Sequence, residues 1–290
     1  MRIATFVLDG RRQVGLVSAS GDTVTPLALS AEQAREGAQF LIDARIAGRA
    51  DPATTTTRAL PLSEVRLEAP LPRPRRNLWC VGRNYHAHAR ELSASVFKDN
   101  DAKTDAWPIV FTKVPECVVG PFDDVVVPIG VSDAIDYEAE LAVVIGTGGK
   151  NIARAAAMGH VFGYTIVNDV TARDVQMRHQ QWDLGKSFDT FCPMGPWIVT
   201  ADELDGTRTR VRCLVNGELR QDAPTENMIF DIPTLIETIS RGITLHPGDV
   251  IDTGTPAGVG MGMKPPRYLK AGDVVRVEID GLGAIENRFV

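Results

Sequence analysis

Apolar and polar positions alternate over Ile3 to Leu8, Val14 to Val17 and Thr23 to Pro26, with Asp9-Gly10 and Gly21-Asp22 in the gaps. That period of two predicts three short strands joined by tight turns. Ser30 then stands at a helix-cap position with Gln33 three residues on, ahead of an Ala- and Leu-rich run towards Gly48. The stretch DPATTTTR, Asp51 to Arg58, is poor in apolar residues and reads as a linker, and PLPRPRR, Pro70 to Arg76, marks a second boundary. These signals divide the chain into a small N-terminal α/β domain, residues 1–70, and a larger domain, residues 71–290.

Beyond the boundary the apolar runs are short and strand-like. They fall at Leu78 to Val81, Ile109 to Thr112, Val125 to Val127, Tyr137 to Ile145, His160 to Val167, Trp197 to Thr200 and Val211 to Val215. Helical periodicity is confined to Tyr85–Ser95, Thr171–Trp182 and Ile232–Arg241. Asn216-Gly217 and Asp280-Gly281 are hairpin dipeptides. HPGDVI (His246 to Ile251) and KAGDVV (Lys270 to Val275) each launch a strand from a Gly-Asp turn. The predicted class is α+β, mainly β, as a mixed β-sandwich or roll.

Composition narrows the field. With 290 residues, 44% hydrophobic and 23% charged, the chain can bury a core. A net charge of -6 offers no electrostatic footprint for nucleic acid, although a local cationic pocket could still take an anion. The four cysteines, Cys80, Cys117, Cys192 and Cys213, lie far apart without a C-x-x-C pair, which fits reduced thiols in a cytosolic protein. The N-terminus is charged too early for a signal peptide, and the longest apolar runs fall far below the roughly 20 residues that span a bilayer. The expectation is a soluble cytoplasmic protein with no membrane partner.

The candidate chemistry begins at DYEAELAVVIG, Asp136 to Gly146. In a strand, Glu138 and Glu140 project from one face, about 7 Å apart along the backbone. Two solvated glutamates on an edge strand would explain that pair. LAVVIG, though, is apolar on both faces, as in a strand buried on both sides. Carboxylates at its mouth repel unless a cation sits between them. Asp169, after HVFGYTIVND, adds a third carboxylate unless it is only a turn or cap residue. The three form an all-oxygen, open-sided set suited to magnesium or manganese rather than zinc or copper.

In GRNYHAHARE, Gly82 to Glu91, a helix opened at Asn84 would put His88 and Glu91 on one face at i,i+3. A carboxylate holding one imidazole nitrogen leaves the other free as a base, while His86 faces away. An incidental surface ion pair is the plain alternative. Phe97 to Trp107 is charged, poor in apolar residues, and reads as a closing flap. Arg173 and Gln176 share a helix face, Lys186 follows in GKSFD, and Lys113 ends IVFTK; each is an ordinary surface group unless the metal site is real. TGTPAGVG, Thr253 to Gly260, lacks the G-K-[ST] ending of a phosphate loop, and no G-x-S-x-G elbow occurs, so phosphate-cradling and serine-hydrolase chemistry are excluded.

Taken in order, GRNYHAHARE, DYEAELAVVIG, NDVTARDVQ, GKSFDTFCPMGP and TGTPAGVG resemble the fumarylacetoacetate hydrolase superfamily over Gly82 to Gly260. The resemblance implies a β-sandwich roll, commonly a homodimer, with a small N-terminal domain and with magnesium or manganese (calcium in some members) in the pocket. It implies Glu138, Glu140 and Asp169 as metal ligands and His88 with Glu91 as a water-activating dyad on a lid helix. Arg173, Gln176, Lys186 and Thr255 would hold the carboxylate and oxo groups of the substrate, with Arg83, Tyr85 and Lys113 as further substrate contacts. Fumarylacetoacetate hydrolase itself has a fourth metal carboxylate upstream of the lid, where Leu78 to Val81 is neutral here.

The leading expectation is hydrolysis of a C–C bond in a 2,4-dioxo acid such as an acylpyruvate. His88 would take a proton from water, and Lys186 with Gln176 would support the tetrahedral oxyanion. A metal-dependent decarboxylase or isomerase of an oxaloacetate-like or hydroxymuconate-like diacid is the near alternative, and a non-catalytic binding protein the remote one. The His88–Glu91 pair favours hydrolysis, because decarboxylation needs no activated water. Phe97 to Trp107, Trp182 and Trp197 are expected to shape the tail end of the pocket.

Overall fold

A computed structural model describes residues 1–49, 58–93, 107–178 and 180–290. The expected linker up to Thr57 and the expected flap up to Ala106 lie outside the described residues. The strands β1 (Arg2–Leu8), β2 (Arg11–Val17) and β3 (Thr23–Pro26) form where the period-two pattern puts them. Ser30 and Gln33 make a reciprocal capping box, but the helical run it opens splits into α1 (Ala31–Ala34) and α2 (Gln39–Ile46). Gly37 makes the split: its φ is +63°, and a Cβ there would lie 2.5 Å from the Pro70 carbonyl oxygen. Two short strands follow, β4 (Leu60–Pro61) and β5 (Arg66–Glu68).

The larger segment begins with β6 (Leu78–Gly82), α3 (His86–Ser93), β7 (Ile109–Lys113) and β8 (Val118–Val119). Val125 to Val127, an expected strand, forms a single ladder bridge to Phe289 and lies along the C-terminal residues. Next come β9 (Ile135–Asp136), β10 (Ala139–Ile145) and β11 (Val161–Asn168). The expected helix over Thr171–Trp182 is corrected to three pieces: β12 (Thr171–Ala172), α4 (Arg173–Gln176) and α5 (Asp183–Lys186). Thr171 and Ala172 are drawn into a ladder with Asp136 and Ile135, so the helix cannot start there. The chain ends with β13 (Cys192–Thr200), β14 (Arg210–Val215), β15 (Glu218–Pro224), α6 (Ile232–Ser240), β16 (Val250–Asp252), β17 (Val274–Ile279) and β18 (Gly283–Arg288).

The fold is mainly β with a large mixed sheet and few helices. That sheet runs β4-β3-β2-β1-β13-β11-β10-β16-β6-β7, with β5 on β1 and β8 on β13. β16 beside β6 and β8 beside β13 are parallel; its other ladders are antiparallel. A second sheet, β15-β14-β17-β18, covers one face. β10 sits between the layers, wholly buried. Leu141, Val143 and Ile145 enter a core shared with β14, β17 and α6, while Ala142 and Val144 enter the core shared with α2. By the same alternation Glu138 and Glu140 belong to the Ala142 face. The four cysteines are buried free thiols, and no helix among the described residues is long and apolar enough to cross a membrane.

Asn84 joins the end of β6 to the strand and loop that carry the other half of the site. Its amide donates to Phe230 O and Thr253 O at 2.9 and 2.8 Å, and its Oδ1 accepts from the Phe230 amide at 2.8 Å. Asn84→Ala leaves these buried backbone groups without partners and is expected to cost about 3 kcal/mol. A lowered urea midpoint at unchanged m-value is the readout; an unaltered midpoint would show that water replaces the amide freely.

Candidate active site

Glu138, at the mouth of β10, Glu140 within it, and Asp169, just after the neighbouring β11, bring ligand oxygens to within 4.8 Å of one another. All three are buried. The β10–β11 register, Ala139 against Asn168 and Glu140 against Val167, makes them neighbours, and the Asn168 side chain accepts from the Glu138 amide at 3.0 Å.

Three cations answer the charge. Arg173, opening α4, donates from Nη2 to Glu138 Oε1 at 2.6 Å and from Nε to Asp136 Oδ2 at 2.9 Å. Lys186, ending α5, spans Glu138 Oε2 at 2.7 Å and Asp169 Oδ2 at 2.6 Å. Lys113, ending β7, donates to Asp169 Oδ1 at 2.8 Å and to the carbonyls of Val170 and Lys186. Burial alone would raise Glu138, but Arg173 and Lys186 outweigh it and hold the carboxyl far below its usual range. Burial likewise works against charge on Lys186, and Asp169 with Glu138 overturns it, so the ammonium is held above its ordinary value.

Glu140 differs. Its Oε2 accepts from the Gly254 amide at 2.8 Å. Burial, then Asp169, Asp252 and Glu138, push it well above the carboxylate range. Three carboxyl groups in a buried pocket, one of them pushed upward by burial and by its acidic neighbours, suit a hard divalent cation. The donor set fits the ion that the sequence implies.

His88 lines the same cavity from α3, its Nδ1 3.2 Å from Glu91 Oε2. Glu91 accepts in turn from the Gly258 amide at 3.1 and 3.2 Å. Tight backbone turns make that possible. Gly254 has φ +98° and Gly258 φ +108°, and a Cβ would lie 2.7 Å from Asn84 Cβ at the first and 1.9 Å from Arg220 O at the second. Glu138, Glu140, Lys186, Arg173, His88 and their neighbours line one cavity.

The structure brings most of the expected site residues together. Glu138, Glu140, His88, Arg83, Arg173, Gln176, Lys186 and Thr255 line the cavity, as does Trp182; Asp169 and Glu91 stand behind it, bonded to Lys186 and paired with His88. Gln176 Oε1 accepts from Arg173 Nη1 at 3.1 Å, and Thr255 Oγ donates to Ala139 O at 3.0 Å. Lys113 and Tyr85, expected against the substrate, do not line it. Lys113 is fully buried behind Asp169, and Tyr85 borders a separate cavity with His86 and Arg90. Trp197 lies elsewhere too, beside Phe122 and Leu62.

Two carboxylates escaped the sequence reading. Asp136 accepts from the amides of Gly260 and Met261 at 2.7 and 2.9 Å besides Arg173. Asp252, ending β16, is buried on the same face, opposite Ala142, and Cys80 Sγ lies 3.4 Å from its Oδ2. Burial and then Asp169 raise it to about 7. Its signal was present: an acidic residue ending an apolar run, the same feature that picked out Asp169.

Comparisons with known proteins identify the family. Residues 77–290 match the family described as fumarylacetoacetate (FAA) hydrolase C-terminal, and residues 1–70 the one described as Rv2993c-like, N-terminal. An oxaloacetate tautomerase of Bacillus subtilis (strain 168) is 50% identical over 229 residues, 79% of this chain and 74% of that protein. A mitochondrial oxaloacetate tautomerase of Homo sapiens is 48% identical over 234 residues, 80% of this chain and 71% of that protein. A solved fumarylacetoacetate hydrolase from psychrophilic Exiguobacterium antarcticum gives a TM-score of 0.86 at 41% identity, covering 100% of this chain and 99% of that one. For a 5-carboxymethyl-2-hydroxymuconate delta-isomerase from Mycobacterium smegmatis the TM-score is 0.78 at 34% identity, with the same coverage.

Glu140 and Asp252 are raised above their unfolded-state values, so the stability they contribute is lost as pH rises from the ordinary carboxylate range through about 7, the value to which Asp252 is raised. Glu138 acts oppositely, but only below about pH 4.5, outside that window. The metal-free protein is therefore expected to melt lower at pH 8 than at pH 5.5. Magnesium or manganese should raise the melting temperature more at pH 8. An increment independent of pH would mean that no proton leaves the carboxylates when the ion enters.

Proposed function

The chain belongs to the fumarylacetoacetate hydrolase family, and within that family we propose that it is a metal-dependent tautomerase of a small 2-oxo diacid of the oxaloacetate type. The observation that carries this reading is a braced base set against a donor set: His88, held by Glu91, lines one cavity with Glu138, Glu140, Arg173 and Lys186. Hydrolysis of an acylpyruvate would need an attacking water placed at a second carbonyl. Moving a proton needs only the base and a group for the oxygen. Relatives at about half identity are named oxaloacetate tautomerases, which favours the isomerase alternative over C–C hydrolysis.

In the proposed step Nε2 of His88 removes a proton from the carbon beside the 2-oxo group. The C–H electron pair becomes the C=C bond, and the carbonyl pair moves onto oxygen. Lys186, held protonated by Asp169 and Glu138, donates a hydrogen bond to that oxygen rather than its proton. The proton that completes the enol comes from solvent, and His88 returns its own there. Arg173 and Gln176 would orient the carboxylates of the substrate. A magnesium or manganese ion held by Glu138, Glu140 and Asp169 would supply Lewis-acid polarisation of the 2-oxo group. A homodimer goes with this reading, supported by the exposed apolar run of Phe122, Val126, Ile129 and Val131.

The test follows ketonisation of the oxaloacetate enol by absorbance, with product analysis by NMR. Wild-type protein with magnesium or manganese should interconvert the two forms and leave the carbon skeleton intact. His88→Ala should lose about 10²- to 10⁴-fold in rate while calorimetry shows the metal affinity retained. Release of pyruvate and carbon dioxide as the main products, or faster cleavage of acetylpyruvate than enolisation of oxaloacetate, defeats the reading.

A further inference from the structure

One wall of the cavity has a part in neither the acid–base set nor the metal ligands. Gly82 ends β6 at the cavity, and a Cβ there would lie 2.4 Å from Cζ3 and 2.9 Å from Cη2 of Trp182. The benzo edge of the indole therefore rests on bare backbone. The same indole meets Phe111 edge-on, with centroids 5.3 Å apart at 61°. Lys186 Nζ stands 4.8 Å from the centre of the Phe111 ring while it bonds Glu138 and Asp169. Lys186, Phe111 and Trp182 thus form a chain of contacts from the acidic set to an aromatic wall of the cavity.

The wall is held firmly. Trp182 immediately precedes α5, the turn that carries Lys186. Asp183 Oδ1 accepts from Thr112 Oγ at 2.6 Å and from the Thr112 amide at 3.3 Å, tying that turn to β7. Gly185 lets α5 press on α4, since a Cβ there would lie 2.5 Å from the Gln176 amide nitrogen. A displacement of Trp182 would have to move the turn that positions Lys186.

We propose that Trp182, seated on Gly82 and backed by Phe111, determines substrate length: it admits a short 2-oxo diacid and excludes 2-oxo acids with a longer tail. The inference rests on the tautomerase reading for the identity of the short substrate, but the length limit itself belongs to the wall. A hydrophobic pocket discriminates by about 10- to 200-fold for each methylene that does not fit. An aromatic side chain that closes the end is an efficient way to impose such a limit.

The experiment uses the full-length, metal-loaded protein and its variants Trp182→Ala and Trp182→Phe. The kcat/KM for oxaloacetate is compared with that for a longer 2-oxo diacid. In parallel, inhibition constants or thermal shifts are recorded for unreactive saturated dicarboxylates of increasing length. Trp182→Ala should raise the ratio of long to short substrate at least 10-fold and shift the best-bound dicarboxylate to a longer one. Trp182→Phe, which keeps an aromatic contact with Phe111, should show the same change in smaller size and serves alone if the alanine variant fails to fold. Equal losses for every length, or an unmoved length preference in both variants, overturn the proposal and leave Trp182 a packing residue. Wild-type protein that does not enolise oxaloacetate yet shows the dicarboxylate cut-off would sink the tautomerase reading and keep the wall.

Discussion

The constraint on which this molecule turns is the burial of like charge. Asp136, Glu138, Glu140 and Asp169 are all buried, on or beside strands that are apolar on both faces. Each ion removed from water costs several kcal/mol unless partners answer it. The chain answers with Arg173, Lys186 and Lys113, delivered by three separate elements, α4, α5 and β7. Every one of those cations bridges two elements or more. The pairs therefore do more than neutralise: they set where two single-turn helices, too short to be stable by themselves, must sit. They also fix the register of β10, since a slip by one residue would send both glutamates into the opposite core. Arg173 and Lys186 cannot relax without exposing Glu138 to the full cost of its burial, and this keeps the donors in place for a substrate.

The glycine-rich run Thr253 to Gly260 meets the same constraint from the other side. It is no phosphate cradle, yet its amides hold acidic side chains. Gly254 donates to Glu140, Gly258 to Glu91, and Gly260 with Met261 to Asp136. Those acidic groups are the protein's own. Motif grammar asks which external ligand a glycine loop binds; here the glycines let the main chain approach closely enough for its N–H groups to serve as the fixed partners of the acidic side chains.

What could be read from the sequence depended on whether a feature is local. Alternation in β1 and β2, the two-faced apolar run of β10, the Ser30–Gln33 box and the i,i+3 spacing of His88 and Glu91 are consequences of neighbours along the chain, and each appears where expected. The acidic set was legible because two members share a strand and the third ends an apolar run. Lys113 was misplaced because which side of Asp169 it would occupy is decided by β6 and β7 pairing, a long-range event. Tyr85 was misplaced for a related reason: its backbone bridges to Met228, which turns it towards another cavity. The helix over Thr171–Trp182 failed at its start, where an antiparallel ladder to β9 competes with the first helical turn and wins. Propensity summed over so short a window is a weak argument against such pairing.

The hydrolase and tautomerase readings share every residue so far named, which is why composition, motif and spacing could not divide them. Both call for a braced imidazole, an oxygen-ligated ion and a hydrogen-bond donor at the 2-oxo group. They part on what the base must reach. For hydrolysis a nucleophilic water must stand between His88 and a second carbonyl, and the acyl group beyond that carbonyl must go somewhere. Trp182, lying on Gly82, lines the cavity together with Met261 and Phe111, and these are the side chains such a tail would meet. A proton transfer beside the 2-oxo group needs neither the water nor the tail site, because the product has the same atoms as the substrate. The same side chains can thus run different reactions in related proteins according to how the far wall is built.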